Sequence, residues 1–174
     1  MSDLQPVVWL LAGLPGTGKT TFALTLEKAG VVRLSVDDRM TALHGRIGKD
    51  YAEHEHLTLL APVVESVRRQ LIELVQAGHS VVLDHGLGRR AQREELKQLV
   101  TEHGGTWRLV TFQLDRDELL RRLSRRNEDP AHVAITPQLL DWIAEHSEAP
   151  NGEGEELPPN PTHGVTGHAP VRPA

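Results

Sequence analysis

Cysteine is absent from this sequence: none of its 174 residues is a cysteine. That absence excludes disulfide bridges, a cysteine nucleophile and thiolate metal sites together. Aromatic residues are scarce as well, at 3% of the chain, which argues against stacking surfaces for single-stranded nucleic acid. Positive charge is not in excess either, since the formal net charge is -5. A broad basic surface for nucleic acid is therefore not expected.

Long apolar runs are also missing. None approaches the roughly 20 residues that span a bilayer. The N-terminal region carries Asp3 and no basic cluster, so its first apolar run is interpreted as a buried strand rather than a signal peptide. These features predict a soluble, cytoplasmic protein without a membrane partner, and 174 residues suffice for one domain with a sizeable core.

What the sequence does contain is an alternation of short apolar runs with helical patterns. The runs are continuously apolar, as is typical of strands covered on both faces, and span residues 7–12, 31–36, 80–84 and 107–114. Helical patterns span residues 20–28, 51–77, 89–103 and 115–126, and another begins at Thr136-Pro137. This alternation predicts right-handed βαβ units around a parallel sheet.

The composition changes at residue 148. From there the chain has no helical or strand period, and it holds six of the eleven prolines together with several glutamates and glycines. Such a segment has too few apolar side chains to offset the entropy of ordering. The predicted organisation is one domain over residues 1–147, followed by an acidic tail over 148–174 that is largely disordered.

Residues 13–20, with the sequence GLPGTGKT, lie between the first apolar run and the first helical pattern. This is the spacing and the context of a phosphate-binding P-loop. Backbone N–H groups would converge on the β-phosphate, Lys19 would reach the β- and γ-phosphates, and the Thr20 hydroxyl would hold Mg²⁺. The alternative is an ordinary glycine turn, which leaves Lys19 and Thr20 without a role. The predicted nucleotide-binding residues are Gly13, Pro15, Gly16, Thr17, Gly18, Lys19, Thr20 and Thr21.

Aspartates end the second and third apolar runs. Asp84 is similar to the acid that supports Mg²⁺ in P-loop proteins, the alternative being a turn cap before Gly86. Asp37 and Asp38 lie where ligands bind in open α/β folds, at the carboxyl edge of the sheet. A carboxylate there can take the proton from a hydroxyl that attacks the γ-phosphate. The alternative, a helix cap with an acid in the first turn, is compatible with such a role.

Four segments together resemble a known family: GLPGTGKTT, LSVDDR, VVLDHGLGRRAQR and LLRRLSRR. They look like the small P-loop kinases that include zeta toxins, chloramphenicol phosphotransferases and the kinase domain of polynucleotide kinases. The resemblance covers about residues 6–150. It implies a three-layer α/β P-loop NTPase fold with helices on both faces of a parallel sheet. The strand order would be 2-3-1-4, with a fifth strand optional.

The same resemblance implies roles for particular residues. It makes Asp37 the general base, and it places Arg122 and Arg126 in a lid that clamps the phosphates; the alternative is a solvated helix end. Many relatives have Asp-Ala-Thr or Asp-Gly-Thr where this chain has Asp84-His85-Gly86, so acceptor recognition differs here. The acceptor side is expected between Gly45 and Ala77. The candidate acceptor-binding residues are Asp38, Arg39, Tyr51, His54, His85, Arg89 and Arg93.

The sequence therefore predicts a kinase that uses ATP, or GTP, and Mg²⁺ to phosphorylate a hydroxyl of a small molecule. Nucleosides, sugar nucleotides as used by zeta toxins, and antibiotics all remain open as acceptors. One alternative is a nucleotide-binding switch that transfers phosphate only to water, although no water-positioning residue is apparent. The other is a polynucleotide 5′-kinase, which the acidic charge and few aromatics disfavour. No stable nucleic-acid complex is expected, and the oligomeric state stays open.

Overall fold

The computed structural model describes residues 5–159, which form a five-stranded parallel sheet flanked by helices. The strands are β1 (Val7–Ala12), β2 (Val32–Ser35), β3 (Val81–Asp84), β4 (Thr106–Thr111) and β5 (Glu155–Glu156). The helices are α1 (Lys19–Lys28), α2 (Val36–His44), α3 (His56–Gln76), α4 (Arg90–Glu102), α5 (Arg116–Asn127) and α6 (Pro137–Glu145). The sheet order β2-β3-β1-β4-β5 confirms the expected arrangement and adds the fifth strand.

Both faces of the sheet are covered, which is why the strands are continuously apolar. Val8 and Leu10 of β1 pack into the main core, which α3 and α4 complete. Leu11 faces the other side, where Ala23 and Leu26 of α1 cover it. A smaller cluster joins α5 to α6. No helix among residues 5–159 combines the length and apolarity that crossing a bilayer requires.

The second strand is shorter than the apolar run suggested, because α2 begins at Val36. Ser35 ends the strand and caps the helix, its hydroxyl accepting from the Asp38 backbone N–H at 3.1 Å. Asp37 and Asp38 therefore lie in the first turn of α2, where the helix dipole favours carboxylates. The helical patterns predicted above did not include α2, since only Val36 and Met40 of its nine residues are buried.

The domain continues beyond residue 147. Residues 148–159, assigned by composition to the disordered tail, instead include β5, which pairs with Leu109 and Val110 of β4. They also include Glu153, which is buried against Arg93 of α4. A contact between positions so far apart leaves no trace in local composition. The rest of the predicted tail, residues 160–174, lies outside the described residues.

Candidate functional site

The loop between β1 and α1 is built around glycines at positions that disfavour a side chain. A Cβ atom at Gly13 would lie 2.7 Å from the Phe112 carbonyl oxygen. Gly18 caps α1 with φ at +100°, a conformation that side chains disfavour. Within residues 5–159, the N–H groups of Gly16 and Gly18 have no protein acceptor. Such N–H groups at a helix start are the donors that a phosphate needs.

Lys19 is held against this loop. Its ammonium donates to the carbonyl oxygens of Gly13 at 2.7 Å and Leu14 at 2.8 Å. Burial lowers the pKa of Lys19 to about 8; Asp84 opposes this shift, Arg126 adds to it and Asp37 opposes it. The fold thus brings Lys19, Asp37, Asp84 and Arg126 within electrostatic reach of one another, although the sequence separates them widely.

Thr20 and Asp84 meet beside the loop. The Thr20 hydroxyl donates to Asp84 Oδ1 at 3.1 Å, and Asp84 is buried at the end of β3. Hydroxyl and carboxylate oxygens are ligands that Mg²⁺ prefers. The described part of the chain holds no group of three acids or histidines that could bind a metal. This pair therefore fits an ion that shares its coordination with nucleotide phosphates rather than a protein-only cage.

Arg33 is the residue of this site that sequence reasoning missed. It lies on β2, where its Nε and Nη2 donate to Asp84 Oδ2 at 2.9 and 2.6 Å. Its Nη1 donates to Asp38 Oδ2 at 2.7 Å. The only signal in the sequence is a single charged residue inside the apolar run 31–36.

The two neighbouring aspartates of α2 differ in their surroundings. Asp38 is paired with Arg33. The exposed Asp37 carboxylate has no ion-pair or hydrogen-bond partner among residues 5–159. Its charge is nevertheless felt nearby: burial, and then Asp37, raise the pKa of Tyr51. Asp37 is thus the unpaired carboxylate at this edge of the sheet.

Arg122 and Arg126, the two arginines predicted to belong to a lid, also differ. Arg122 Nε donates to Glu118 Oε1 at 2.7 Å, and its Nη1 lies 4.0 Å from where a Cβ of Gly18 would be. Hydrogen bonds from Arg121 and Arg122 lower the pKa of Glu118 to about 2. Arg126 has no carboxylate within salt-bridge distance in the described part of the chain. Both arginines lie near the phosphate loop, and Arg126 is the one without an acidic partner.

The residues predicted to bind the acceptor do not converge on one point. Arg39 donates to Ser66 Oγ at 3.1 Å and to Gln70, so it ties α2 to α3. The Tyr51 hydroxyl is hydrogen-bonded to Nδ1 of His56 at 2.8 Å. His54 is exposed in the short 3₁₀ turn Glu53–Glu55. Arg39 and Tyr51 are therefore engaged in contacts within the protein, whereas His54 faces solvent.

The arginines after β3 also differ from expectation. Arg89 is exposed and immediately precedes α4. Arg93, predicted to face a phosphate or an acidic acceptor, is instead fully buried. Its guanidinium donates to both carboxylate oxygens of Glu153, at 2.8 and 2.7 Å, and to the Leu87 carbonyl oxygen. Arg93 is therefore fully buried and engaged through all three of its guanidinium nitrogens.

Two cavities adjoin this edge of the sheet. The smaller, of about 100 Å³, lies between α3 and α4 and is mainly apolar, with His85 among its lining residues. Burial lowers the pKa of His85, while Asp37 and Asp84 oppose this and Lys19 adds to it. The larger, of about 330 Å³, lies between the phosphate loop, the end of β4 and residues 144–150. Its volume is within the range typical of small-molecule sites.

The sheet order, the glycine loop and the Lys19–Thr20–Asp84 arrangement define a P-loop nucleotide-binding fold. Residues 8–150 match the family model described as an AAA domain, and the chain belongs to that family. The match starts within β1 and ends at Pro150, so it covers the phosphate loop, the aspartates that follow β2 and end β3, and helix α5.

Comparison with individual proteins supports the same fold. A curated relative, the UPF0200 protein PAE1629 of Pyrobaculum aerophilum, is 28% identical over 79% of this chain and 76% of its own length. A candidate kinase from Chloroflexus aurantiacus superposes with a TM-score of 0.70 at 20% identity, over 88% of this chain and 83% of its own. The expected resemblance to P-loop kinases is thereby confirmed for the fold.

Two further solved structures have the same fold as this chain. A chain of the Pnkp1/Rnl/Hen1 RNA repair complex has a TM-score of 0.67 at 21% identity, covering 81% of this chain and 43% of its own. A gluconokinase from Sinorhizobium meliloti has a TM-score of 0.60 at 17% identity, covering 88% and 81%. A gluconokinase and a chain of an RNA repair complex thus share this architecture, so the acceptor has to be argued from the residues of the site.

Proposed function

We propose that this protein is an ATP- and Mg²⁺-dependent kinase that transfers the γ-phosphate to a hydroxyl group of a small molecule. The observation that carries the proposal is the unpaired Asp37 carboxylate, which lies within electrostatic reach of Lys19 in the phosphate loop. A carboxylate in that position can take the proton from an attacking hydroxyl, and because water could also be the attacking group, the transfer assay below separates a kinase from a switch that only hydrolyses nucleotide. A kinase needs such a carboxylate, because a hydroxyl is a weak nucleophile at neutral pH.

The nucleotide side of the site would use the phosphate loop and the larger cavity beside it. Gly13 and Leu14 line both the loop and this cavity, which extends to Phe112 and Gln113 after β4. A triphosphate on the loop would therefore leave its nucleoside next to a space of about 330 Å³. This supports the larger cavity as the place where the nucleoside of the phosphate donor, ATP or GTP, would lie.

The transfer step follows from these positions. The acceptor hydroxyl gives its proton to the Asp37 carboxylate while its oxygen forms a bond to the γ-phosphorus, and the bond from that phosphorus to the β-phosphate oxygen breaks. Lys19 and Arg126 stabilise the negative charge on the transferring group. Thr20 and Asp84 would hold Mg²⁺, which would supply further neutralisation of the phosphate charge. The products are a phosphorylated alcohol and the nucleoside diphosphate.

The acceptor side favours an uncharged molecule. Three of its arginines are already engaged: Arg39 bonds to Ser66, Arg68 pairs with Glu95 at 2.9 Å, and Arg93 is buried. The exposed Arg89 is not among the residues that line the smaller cavity. A phosphorylated or acidic acceptor would need a free cation there. The smaller cavity offers an apolar wall with His85 beside it instead. A nucleoside or a neutral antibiotic fits these surroundings better than a sugar nucleotide does.

The test measures transfer of labelled γ-phosphate from ATP to each member of a panel of hydroxyl compounds. The panel includes nucleosides, sugar nucleotides, antibiotics other than aminoglycosides and a 5′-hydroxyl oligonucleotide. We expect transfer to a neutral small molecule. Label released only to water would favour the switch, and preference for the oligonucleotide would favour a polynucleotide kinase.

The Asp37→Asn variant makes the same assay specific for the proposed base. It should bind Mg²⁺-ATP almost normally and lose about 10²- to 10⁴-fold in transfer rate, since the amide cannot accept the proton. Asp38→Asn is the matched comparison and should lose much less, because Asp38 is committed to Arg33. Transfer at the parental rate by Asp37→Asn would exclude Asp37 as the base.

A further inference from the structure

Arg33 connects two aspartates of the site, Asp84 at the end of β3 and Asp38 in the first turn of α2. Three of its nitrogens donate to carboxylates, two to Asp84 Oδ2 and one to Asp38 Oδ2. The strand register explains how it reaches them: Ser35 of β2 is paired with Asp84 of β3, and Arg33 lies two residues earlier on the same face. The guanidinium therefore runs along the sheet edge to the ends of both strands.

The two oxygens of Asp84 consequently have separate partners. Oδ2 accepts both bonds from Arg33, whereas Oδ1 accepts the bond from the Thr20 hydroxyl. A carboxylate held at one oxygen by a planar guanidinium cannot rotate without losing both bonds. Oδ1 is thereby kept turned toward Thr20 and the phosphate loop.

We propose that Arg33 is a positioning residue that orients the Asp84 carboxylate toward the Mg²⁺ of a bound nucleotide, a role that rests on the proposed function. Partners of this kind, which hold a metal-side group without touching the metal, commonly change metal affinity when they are removed. Arg33 also holds Asp38, so the first turn of α2, which carries Asp37, is tied to the end of β3.

Packing alone does not account for an arginine at this position. β2 is an edge strand whose neighbouring residues, Val32 and Leu34, are apolar. The Arg33 side chain is only 11% exposed, and burying a charge is unfavourable unless it is fully paired. An apolar residue at this position would avoid that cost. The charge is explained by the acids that it holds in place.

The experiment compares the affinity for a non-hydrolysable ATP analogue in Mg²⁺ with the affinity in EDTA, by calorimetry on the full chain. The ratio of the two affinities reports the coupling between metal and nucleotide, and a loss of fold stability alone would not change it. Arg33→Met should reduce this ratio by about tenfold. Arg33→Lys keeps the charge but cannot donate from two nitrogens at once to Asp84. Its ratio should therefore lie between those of Arg33→Met and the parent.

Arg108→Met is the matched control. Arg108 also makes a two-nitrogen pair, with Glu156, at 2.7 and 2.9 Å, but on the β4–β5 side of the sheet. It should leave the ratio unchanged. Thermal unfolding of each variant is recorded first, and Arg33→Lys carries the test if Arg33→Met does not fold.

The inference is overturned if the Arg33 variants weaken binding equally with and without Mg²⁺, or if the ratio rises because the carboxylate binds metal better once Arg33 is gone. Failure of the proposed function would look different. In that case the parent would transfer no phosphate to any hydroxyl compound in the labelled-ATP assay, while its ratio of affinities would still be measurable; a parent without Mg²⁺-dependent nucleotide binding would contradict both proposals.

Discussion

Glu153 sits in the segment that composition assigned to a disordered tail, yet its side chain is 2% exposed and its partner Arg93 is 0% exposed. Replacing Glu153 with glutamine keeps the volume and one carbonyl oxygen but removes the charge. The fully buried Arg93 guanidinium would then have no counter-charge, and Lys97, whose Nζ lies 3.9 Å from Glu153 Oε2, would lose one of its two acids.

The size of the effect follows from this burial. Removing one partner of a buried ion pair costs about 3–5 kcal/mol, and the retained amide oxygen places Glu153→Gln near the lower end. About 3 kcal/mol is a large part of the 5–15 kcal/mol that stabilises a typical domain. In a protein of this size it corresponds to a fall in Tm of about 6–12 °C.

Urea unfolding followed by circular dichroism measures this difference, with Glu156→Gln as the matched control. Glu156 also pairs with an arginine, Arg108, but both side chains are about 40% exposed. An exposed pair contributes about 0–1 kcal/mol. Replacing both Arg93 and Glu153 with apolar residues should cost less than either single change, since neither charge is then left alone.

The pH dependence gives a second check. The hydrogen bonds from Arg93 hold the pKa of Glu153 below its usual range. A lowered pKa in the folded state contributes stability above the unfolded value of 4.5, and that contribution disappears as the pH falls through the folded value. The gap between parent and Glu153→Gln should therefore shrink below pH 4.5. Equal stability of Glu153→Gln and Glu156→Gln at pH 7 would refute the reasoning.

Two other outcomes are expected. Because burial lowers the pKa of Lys19 to about 8, its charge is lost as the pH rises past that value. ATP affinity measured by calorimetry should therefore be flat below pH 8 and fall above it, whereas Lys19→Arg should show no such fall. An unchanged affinity of the parent up to pH 9.5 would contradict this prediction. Arg126→Ala should lower turnover more than ATP affinity, since the transferring phosphoryl group carries the charge that Arg126 stabilises. Equal rates for Arg126→Ala and the exposed control Arg125→Ala would favour the alternative, in which Arg126 is only a solvated residue at the helix end.

Much of the fold and of the nucleotide side of the site could be predicted from the sequence, because each feature depends on residues close together in the chain. The four longer strands are recognisable because continuous apolar runs reflect burial on both faces. The phosphate loop is recognisable because its glycines, Lys19 and Thr20 fall within eight positions at the spacing of the P-loop pattern. The strand order and the lid came from resemblance to P-loop kinases, and the strand order is confirmed.

Only the tertiary structure decided which charged side chains face one another. Arg33 and Asp84 are 51 positions apart, and Arg93 and Glu153 are 60 apart, so no local pattern relates them. The pair with Asp84 makes Arg33, which sequence reasoning missed, part of the site. The pair with Glu153 buries Arg93, which was predicted to bind the acceptor, and includes residues 148–159 in the domain. Local periodicity specifies how a segment is buried, but the partner of a buried charge is set by how the segments pack, which is a property of the whole fold.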